Sequence, residues 1–405
     1  MDTLHLALVA LAWAIALAWL AKLIEAARGL RRVANLTEPR YDVMPAGDPT
    51  VTVIVPARNE AAGVAACVGS LLRQDYSRMR VVAVDDRSTD ATGEILDGLA
   101  REHSNQLEVL HVTALPQGWL GKTHAMAMAA RHAMAKNEPD YLLFTDGDVV
   151  FREDALRRTL AQAIATEADH FVAMPTTLVR TFGEGMLLAY LQVMALWAVR
   201  VWRAAETGDE RDAIGVGAFN LMRTRAYREL GGFDAMPMEI LEDLYLGRRV
   251  KRAGMRQRVA TAPGMVCVHW AAGATGILNG MTKNIFAVFR FRPVLLVLAA
   301  AGLAVSGVGP AALLLVAGAR VPALVAWGSA AGLYVILSRT NRISAGYSGL
   351  FPVAAGLVAY AMLRSMVTAI RRGGVTWRGT FYSLTELRSH ADGDFRNAGA
   401  KAGAK

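Results

Sequence analysis

The sequence predicts an α/β domain with a mostly parallel sheet, flanked by transmembrane helices. Three features lead there. Short apolar strands alternate with helical stretches through the middle of the chain, long apolar runs stand near both ends, and arginines gather beside those runs. The chain has 405 residues, of which 54% are hydrophobic, a length suited to about two domains. A net charge of +9 raises nucleic acid as a partner. Basic residues flanking apolar spans instead fit a membrane protein with basic cytoplasmic edges, so no nucleic acid is expected. Cys67 and Cys267 are the only cysteines, and neither belongs to a Cys-x-x-Cys or Cys-plus-His cluster. That pattern disfavours a disulfide framework or a zinc site and fits reduced thiols in the cytoplasm.

Taken in order, residues 3–24 are long enough to cross the hydrocarbon core. No Lys or Arg precedes them and no small-residue cleavage site follows, so residues 1–28 read as a retained anchor rather than a signal peptide. Arg28, Arg31 and Arg32 then place the next segment in the cytoplasm. Residues 50–290 read as one globular domain. Strands are expected at 51–55, 81–84, 107–112 and 141–144, with helices near 61–74, 89–101, 122–136 and 153–166. The apolar stretch 185–202, with Trp197, Arg200, Trp202 and Arg203 near its end, fits either a headgroup-level amphipathic helix or a buried core helix.

Apolar runs return at 294–317, 321–338 and 350–370, so residues 294–370 read as transmembrane or interfacial helices. Three crossings would put Arg371, Arg372 and Arg378 outside, against the positive-inside rule. Either one run is re-entrant or interfacial, or the rule fails here; the run 350–370, which contains Arg364, is the weakest span. Residues 371–405 read as a cytoplasmic or interfacial tail, disordered from about residue 390.

Ligands on open parallel sheets collect beyond the carboxyl ends of the strands, and the polar motifs fall there. The first strand ends in Val55-Pro56-Ala57-Arg58-Asn59-Glu60. Arg58 and Asn59 can donate to an anionic or carbonyl-bearing ligand and Glu60 can accept; alternatively this is a polar turn with Asn59 as a helix N-cap. The second ends in Val84-Asp85-Asp86-Arg87-Ser88-Thr89-Asp90. Helix capping accounts for Ser88, Thr89 and Asp90, whereas Asp85 and Asp86 are placed to accept from a nucleobase or a ribose. The third leads to Gly118-Trp119-Leu120-Gly121-Lys122. Lys122 at a helix start is a plausible phosphate contact, although Gly118 stands only three residues before Gly121, too close for a Walker A loop.

The fourth strand delivers Asp146-Gly147-Asp148. In an extended chain the two carboxylates share a side, and Gly147 lets a ligand approach the backbone. Hard oxygen donors in so small a set suit Mg²⁺ or Mn²⁺. Last comes Met238-Glu239-Ile240-Leu241-Glu242-Asp243-Leu244-Tyr245-Leu246-Gly247-Arg248-Arg249. On a helix, Glu239, Glu242 and Asp243 would share a face. They form either an acidic surface balanced by nearby Arg and Lys or the source of a general base.

These motifs, in this order and spacing over about residues 50–260, resemble the membrane-bound family-2 glycosyltransferases of GT-A fold. The Gly-Trp-Leu-Gly-Lys stretch and the flanking spans further resemble hopanoid-associated and carotenoid-type lipid glycosyltransferases and, more distantly, ceramide glucosyltransferase. The resemblance implies transfer of a sugar, with inversion, from a nucleoside diphosphate-sugar (a UDP-sugar first) to a hydroxyl of a membrane lipid. It further implies a multi-pass protein of a bacterial-type inner membrane with a cytoplasmic catalytic domain. By motif, Pro56, Arg58 and Glu60 would line the nucleotide pocket, and Asp86 with Asp85 would hold the base or ribose. Lys122 would contact phosphate, Asp146 and Asp148 would hold the divalent metal on the diphosphate, and Asp243 of Glu242-Asp243 would be the base.

One family feature has no good match here. Many membrane members carry Gln/Arg-x-x-Arg-Trp before their last helices, and the nearest candidates are His269-Trp270 and Lys283-Asn284 with Arg290 and Arg292. That departure favours single-sugar transfer over a processive polysaccharide synthase. A non-catalytic sugar-nucleotide-binding scaffold is the other alternative, and the intact acidic motifs argue against it. Residues 374–382 resemble the segment after the last helix in relatives and read as interfacial.

Overall fold

The computed structural model describes residues 3–206, 208–377 and 380–389. Arg378 and the tail from residue 390, both invoked above, lie outside the described residues. The chain forms two compact units. One comprises Arg32–Leu178 and Val201–His269; the other gathers Met1–Arg31, Val179–Arg200 and Trp270–Lys405.

The first unit is built on eleven strands: β1 (Ala34–Asn35), β2 (Val51–Ala57), β3 (Met79–Asp86), β4 (Leu107–Val112), β5 (Tyr141–Phe144), β6 (Val149–Phe151), β7 (His170–Met174), β8 (Thr176–Thr177), β9 (Asn220–Arg223), β10 (Gln257–Thr261) and β11 (Val266–Val268). Eight of them form one sheet in the order β1-β10-β7-β9-β5-β2-β3-β4, and β6, β11 and β8 form a second. In the large sheet only β9 runs antiparallel to its neighbours. The predicted mostly parallel sheet is therefore what forms. All seven residues of β2 are buried, as a strand covered on both faces requires. Helices Val64–Leu72, Thr92–Glu102, Gly121–Asn137 and Ala155–Ala165 alternate with the strands near the expected positions.

The chain moves outward from β2 to β3 to β4, then returns to place β5 on the other side of β2. Strand order reverses there, outside the carboxyl ends of β2 and β5, the position at which open α/β sheets take their ligands. The motifs Val55–Glu60 and Thr145–Asp148 leave the sheet at that point.

Across the sheet a buried polar cluster sits on β7, β9 and β10. His170, Asn220 and Gln257 are each 2% exposed or less. Burial lowers the His170 imidazole to about 4, against which its bond to Asn220 works only partly. Because the folded value is depressed, the unfolded chain takes up more protons between pH 4 and about 6.5. The contribution of His170 is therefore complete above about pH 6.5 and fades as pH falls through the folded value, by roughly 2–4 kcal/mol at most. Thermal midpoints of the detergent-solubilised chain at pH 7 and pH 5 should differ by several degrees more in wild type than in His170→Gln. Equal pH sensitivity in the two would contradict this assignment.

Among the described residues four helices, which fall in the second unit, are long and apolar enough to cross a membrane: Thr3–Arg32, Pro293–Leu313, Arg320–Asn341 and Ala345–Arg372. The apolar helix Phe182–Ala198 is shorter and belongs to the same unit. Thr181 and Glu184 form a capping box at its start. The buried Glu184 carboxylate also accepts from the Gly273 amide at 2.6 Å, tying this helix to the start of helix Gly273–Val288. Its far end packs by Trp197 against Trp19 of the N-terminal helix, and the Lys22 ammonium lies 5.2 Å from the Trp197 ring centroid. After the last long helix, Gly374–Trp377 and Thr380–Ser383 pair as an antiparallel hairpin.

Candidate active site

Four strand-end segments and one helix start assemble the site within the first unit. Arg58 and Asp86 approach from β2 and β3, with 3.8 Å between the Arg58 guanidinium and the carboxylate. Asp86 is 1% exposed and accepts from Arg87 Nε at 2.8 Å and Nη2 at 3.1 Å. Its neighbour Asp85 accepts from the Ser88 amide at 3.1 Å. His111 Nδ1 lies 3.3 Å from the other Asp85 oxygen, and His111 Nε2 lies 3.0 Å from Asp97. Partial burial alone would lower the His111 imidazole, but bonds to Asp97 and Asp85 raise it above the ordinary value. Nothing in the local sequence pattern flagged His111, because the register of β4 on β3 is what sets it opposite Asp85.

The turns after β2 and β3 lock together through side chains. Asn59 Oδ1 accepts from the Thr89 amide at 2.8 Å, and the Asn59 amide donates to Ser88 Oγ at 3.1 Å. The Glu60 amide donates to Thr92 Oγ1 at 2.8 Å, and the Ala61 amide to Asp90 Oδ2 at 3.2 Å. This corrects the capping alternatives. Helix Val64–Leu72 is capped at Gly63 and helix Thr92–Glu102 at Ala91, so Asn59, Ser88 and Thr89 join two loops instead of capping helices. Asn59 and Arg87 have φ of 54° and 56°, left-handed values that asparagine tolerates and that are uncommon for arginine, and the crossed bonds hold both turns in place.

The strand β5 ends at Phe144, and Gly147-Asp148 form a turn before β6. The extended alternation invoked for the two aspartates therefore does not apply. A Cβ at Gly147 would meet Pro56 O and Ala57 Cβ at 3.5 Å, so Gly147 approaches the end of β2. Asp148 lies against Gly63, whose added Cβ would stand 3.7 Å from the Asp148 Cα and Cβ.

Asp146 faces the helix Gly121–Asn137. Lys122 Nζ is 2.6 Å from Asp146 Oδ1 and 2.6 Å from Glu242 Oε1, so one ammonium bridges two carboxylates. Burial raises the Glu242 carboxyl to about 7; Lys122 works against that rise, while Asp243 and Asp146 add to it. Cys67 Sγ donates to the Asp146 carbonyl at 3.4 Å. Burial, reinforced by Asp148, Asp146 and Glu60, pushes this thiol well above its ordinary range, which keeps it protonated and unreactive.

Helix Glu242–Arg252 begins later than the periodicity of Met238–Arg249 predicts, and this removes Glu239 from the acidic face. The Pro237 carbonyl accepts from the Leu120 amide at 2.9 Å and Thr123 Oγ1 at 2.6 Å. Those tertiary bonds hold the preceding residues in a turn. Glu242 and Asp243 then occupy the first helical turn, where acids are favoured. Glu242 is buried and Asp243 half-buried, and Asp243 Oδ1 accepts from the Leu244 amide at 2.7 Å.

Glycines from other segments abut these carboxylates. A Cβ at Gly93 would come within 2.8 Å of Asp85 Oδ2, at Gly121 within 2.2 Å of Asp86 Oδ2, and at Gly217 within 2.4 Å of Asp146 Oδ2. A Cβ at Gly215 would collide with the Asp243 carbonyl. The segment Ile214–Phe219 was not singled out from sequence; its two glycines around Val216 were the available signal.

Among the described residues no group of three or more His, Cys, Asp or Glu is arranged to hold a metal. Asp146 and Asp148 supply hard oxygen donors only. They fit a divalent ion that takes its remaining ligands from phosphate and water, the habit of Mg²⁺ and Mn²⁺.

The profile of the family described as "Glycosyltransferase like family 2" matches residues 49–281. A 4,4'-diaponeurosporenoate glycosyltransferase of Staphylococcus aureus (strain bovine RF122 / ET3-1) is 25% identical over 240 residues, covering 58% of this chain and 60% of the relative. The protein of that name from strain USA300 is 27% identical over 200 residues, covering 49% and 50%. The chain thus matches only about half to three-fifths of these relatives' length. A mannosyltransferase from Pyrobaculum calidifontis, solved with GDP-Man and Mn²⁺, shares the fold with a TM-score of 0.52 at 22% identity, covering 88% of this chain and 98% of that one. With the family profile spanning every strand-end motif and the Glu242-Asp243 pair, the chain belongs to glycosyltransferase-like family 2, on a GT-A-type α/β fold.

Proposed function

We propose that the chain transfers one sugar from a nucleoside diphosphate-sugar to a hydroxyl of a membrane lipid, with inversion at the anomeric carbon. The observation that carries this reading is Lys122, held 2.6 Å from Asp146 and 2.6 Å from Glu242. It ties the strand-end acidic motif to the helix that presents Asp243. Such a transfer needs positive charge beside a diphosphate leaving group and a base beside the incoming hydroxyl, and this cluster holds both kinds of group. The carotenoid-type names of the relatives and the four apolar helices support a lipid acceptor and a bacterial plasma membrane setting. Arg28, Arg31 and Arg32 support a cytoplasmic catalytic unit.

Pro56, Arg58 and Glu60 would border the nucleotide, and Asp85 and Asp86 would accept from its base or ribose. Lys122 would contact the diphosphate. A divalent ion held by Asp146 and Asp148 would neutralise charge on that diphosphate. The acceptor oxygen bonds to the anomeric carbon as the bond from that carbon to the diphosphate oxygen breaks. The bonding pair leaves with the diphosphate, and the hydroxyl proton passes to the Asp243 carboxylate. Glu242, buried against Lys122, holds that ammonium in place.

The test uses membranes containing the full chain, native lipid extract and a panel of UDP- and GDP-sugars. Transfer should stop when divalent metal is chelated with EDTA and return on adding Mg²⁺ or Mn²⁺. Undiminished transfer in EDTA would remove the metal from the reading, and no transfer with any donor would remove the reading itself.

A further inference from the structure

The segment Ile214–Ala218 has a regular construction that the proposed chemistry does not use. Every second residue is pinned through its backbone by a buried polar side chain. Gln257 Oε1 accepts from the Ile214 amide at 3.0 Å, and Gln257 Nε2 donates to the Ile214 carbonyl at 2.8 Å. Asn220 Nδ2 donates to the Val216 carbonyl at 2.7 Å, and Asn220 Oδ1 accepts from the Val216 amide at 3.4 Å. Thr145 Oγ1 donates to the Ala218 carbonyl at 2.8 Å. The residues between are Gly215 and Gly217, which abut the Asp243 carbonyl and the Asp146 carboxylate.

His170 completes the frame. Gln257 Nε2 lies 2.8 Å from His170 Nδ1, and His170 Nε2 lies 3.2 Å from Asn220 Oδ1. An amide nitrogen can only donate, so Nδ1 accepts and the imidazole proton sits on Nε2, directed at the Asn220 oxygen. Both hydrogens of the Gln257 amide are then used, one on His170 and one on Ile214. Thr145, His170, Asn220 and Gln257 are each 2% exposed or less. A buried network so densely bonded favours one arrangement, because a shift leaves polar groups unpaired.

We infer that Thr145, His170, Asn220 and Gln257 are positioning residues, which hold the Ile214–Ala218 segment as a rigid spacer setting Asp243 relative to Asp146. This rests on the function proposed above. The spacer fixes the separation between the group that takes the acceptor proton and the groups that face the leaving diphosphate. A side chain at residue 215 would collide with the Asp243 backbone, and one at residue 217 would displace the Asp146 carboxylate from its place beside Lys122. The positioning residues are buried and bonded to the segment rather than presented to solvent, so their loss should act on turnover more than on donor affinity.

The test compares Thr145→Val, Thr145→Ser and Gln257→Leu with wild type in the full chain reconstituted in lipid. Turnover, donor KM and deuterium exchange of the peptide covering residues 213–219 are measured together. Thr145→Val and Gln257→Leu should each lower kcat by about 10-fold or more with donor KM changed less than about threefold. Exchange in 213–219 should quicken while the central strands stay protected, and Thr145→Ser, which keeps the hydroxyl, should stay close to wild type. If Gln257→Leu fails to fold, the near-isosteric Thr145 pair decides. Unchanged kcat with faster exchange in 213–219, unchanged exchange there, or equal losses in Thr145→Ser and Thr145→Val would each overturn the inference while leaving the proposed function standing. A wild-type chain inactive with every donor would overturn both.

Discussion

Asp243→Ala should lower sugar transfer by roughly 10²–10⁴-fold, the contribution typical of a general base, and leave nucleoside diphosphate binding in place. Asp243 lies in the first turn of helix Glu242–Arg252 and is half-buried, whereas its neighbour Glu242 is buried and engaged by Lys122. Glu242 is buried and bonded to the Lys122 ammonium at 2.6 Å, away from an incoming hydroxyl, so the proposed base is the more accessible Asp243. Glu242→Gln keeps an acceptor for Lys122 and should be the milder change. Calorimetric titration with UDP and GDP separates the two roles, since a base variant binds nucleotide and fails to turn over. A variant Asp243→Ala with wild-type transfer would remove this residue from the chemistry.

Lys122→Met should be the most damaging substitution for both activity and folding. It removes the ammonium that bridges Asp146 and Glu242 and leaves two carboxylates without it, one of them 6% exposed. Stranding a buried charge costs on the order of 3–5 kcal/mol. Glu242 escapes part of that by taking up a proton, as its pKa near 7 already foreshadows. The double variant Lys122→Met/Glu242→Gln should therefore recover stability relative to Lys122→Met alone, by roughly 1–3 kcal/mol in a double-mutant cycle. It should recover no transfer, because the charge beside the diphosphate is still missing. Additive effects on stability would mean that the two groups do not interact.

Much of this site was legible in the sequence, for a physical reason. Strands of a parallel sheet are buried on both faces, so their apolar runs are continuous and their ends are marked where polarity begins. That boundary exposed Arg58, Glu60, Asp85, Asp86, Asp146 and Asp148. Local periodicity failed where tertiary bonds overrode it. The Pro237 carbonyl, held by Leu120 and Thr123, keeps residues 237–241 out of the helix, so Glu239 does not join Glu242. The extended geometry assumed for Asp146 and Asp148 gave way to a turn at Gly147. The Lys122–Glu242 contact and the pinned segment at 214–218 depend on strand order, with β9 inserted between β5 and β7. No pattern within either segment encodes that neighbourhood.

Everything proposed for the site turns on single-sugar transfer to a lipid hydroxyl at the Lys122–Asp146–Asp243 cluster. Mass spectrometry of native lipids tests it most directly, after incubation of membranes bearing the full chain with UDP- and GDP-sugars. The expected product is a lipid that gains the mass of one sugar residue, with one nucleoside diphosphate released per sugar and no such product from Asp243→Ala membranes. A ladder of several sugars, or the same product from the Asp243→Ala chain, would contradict it.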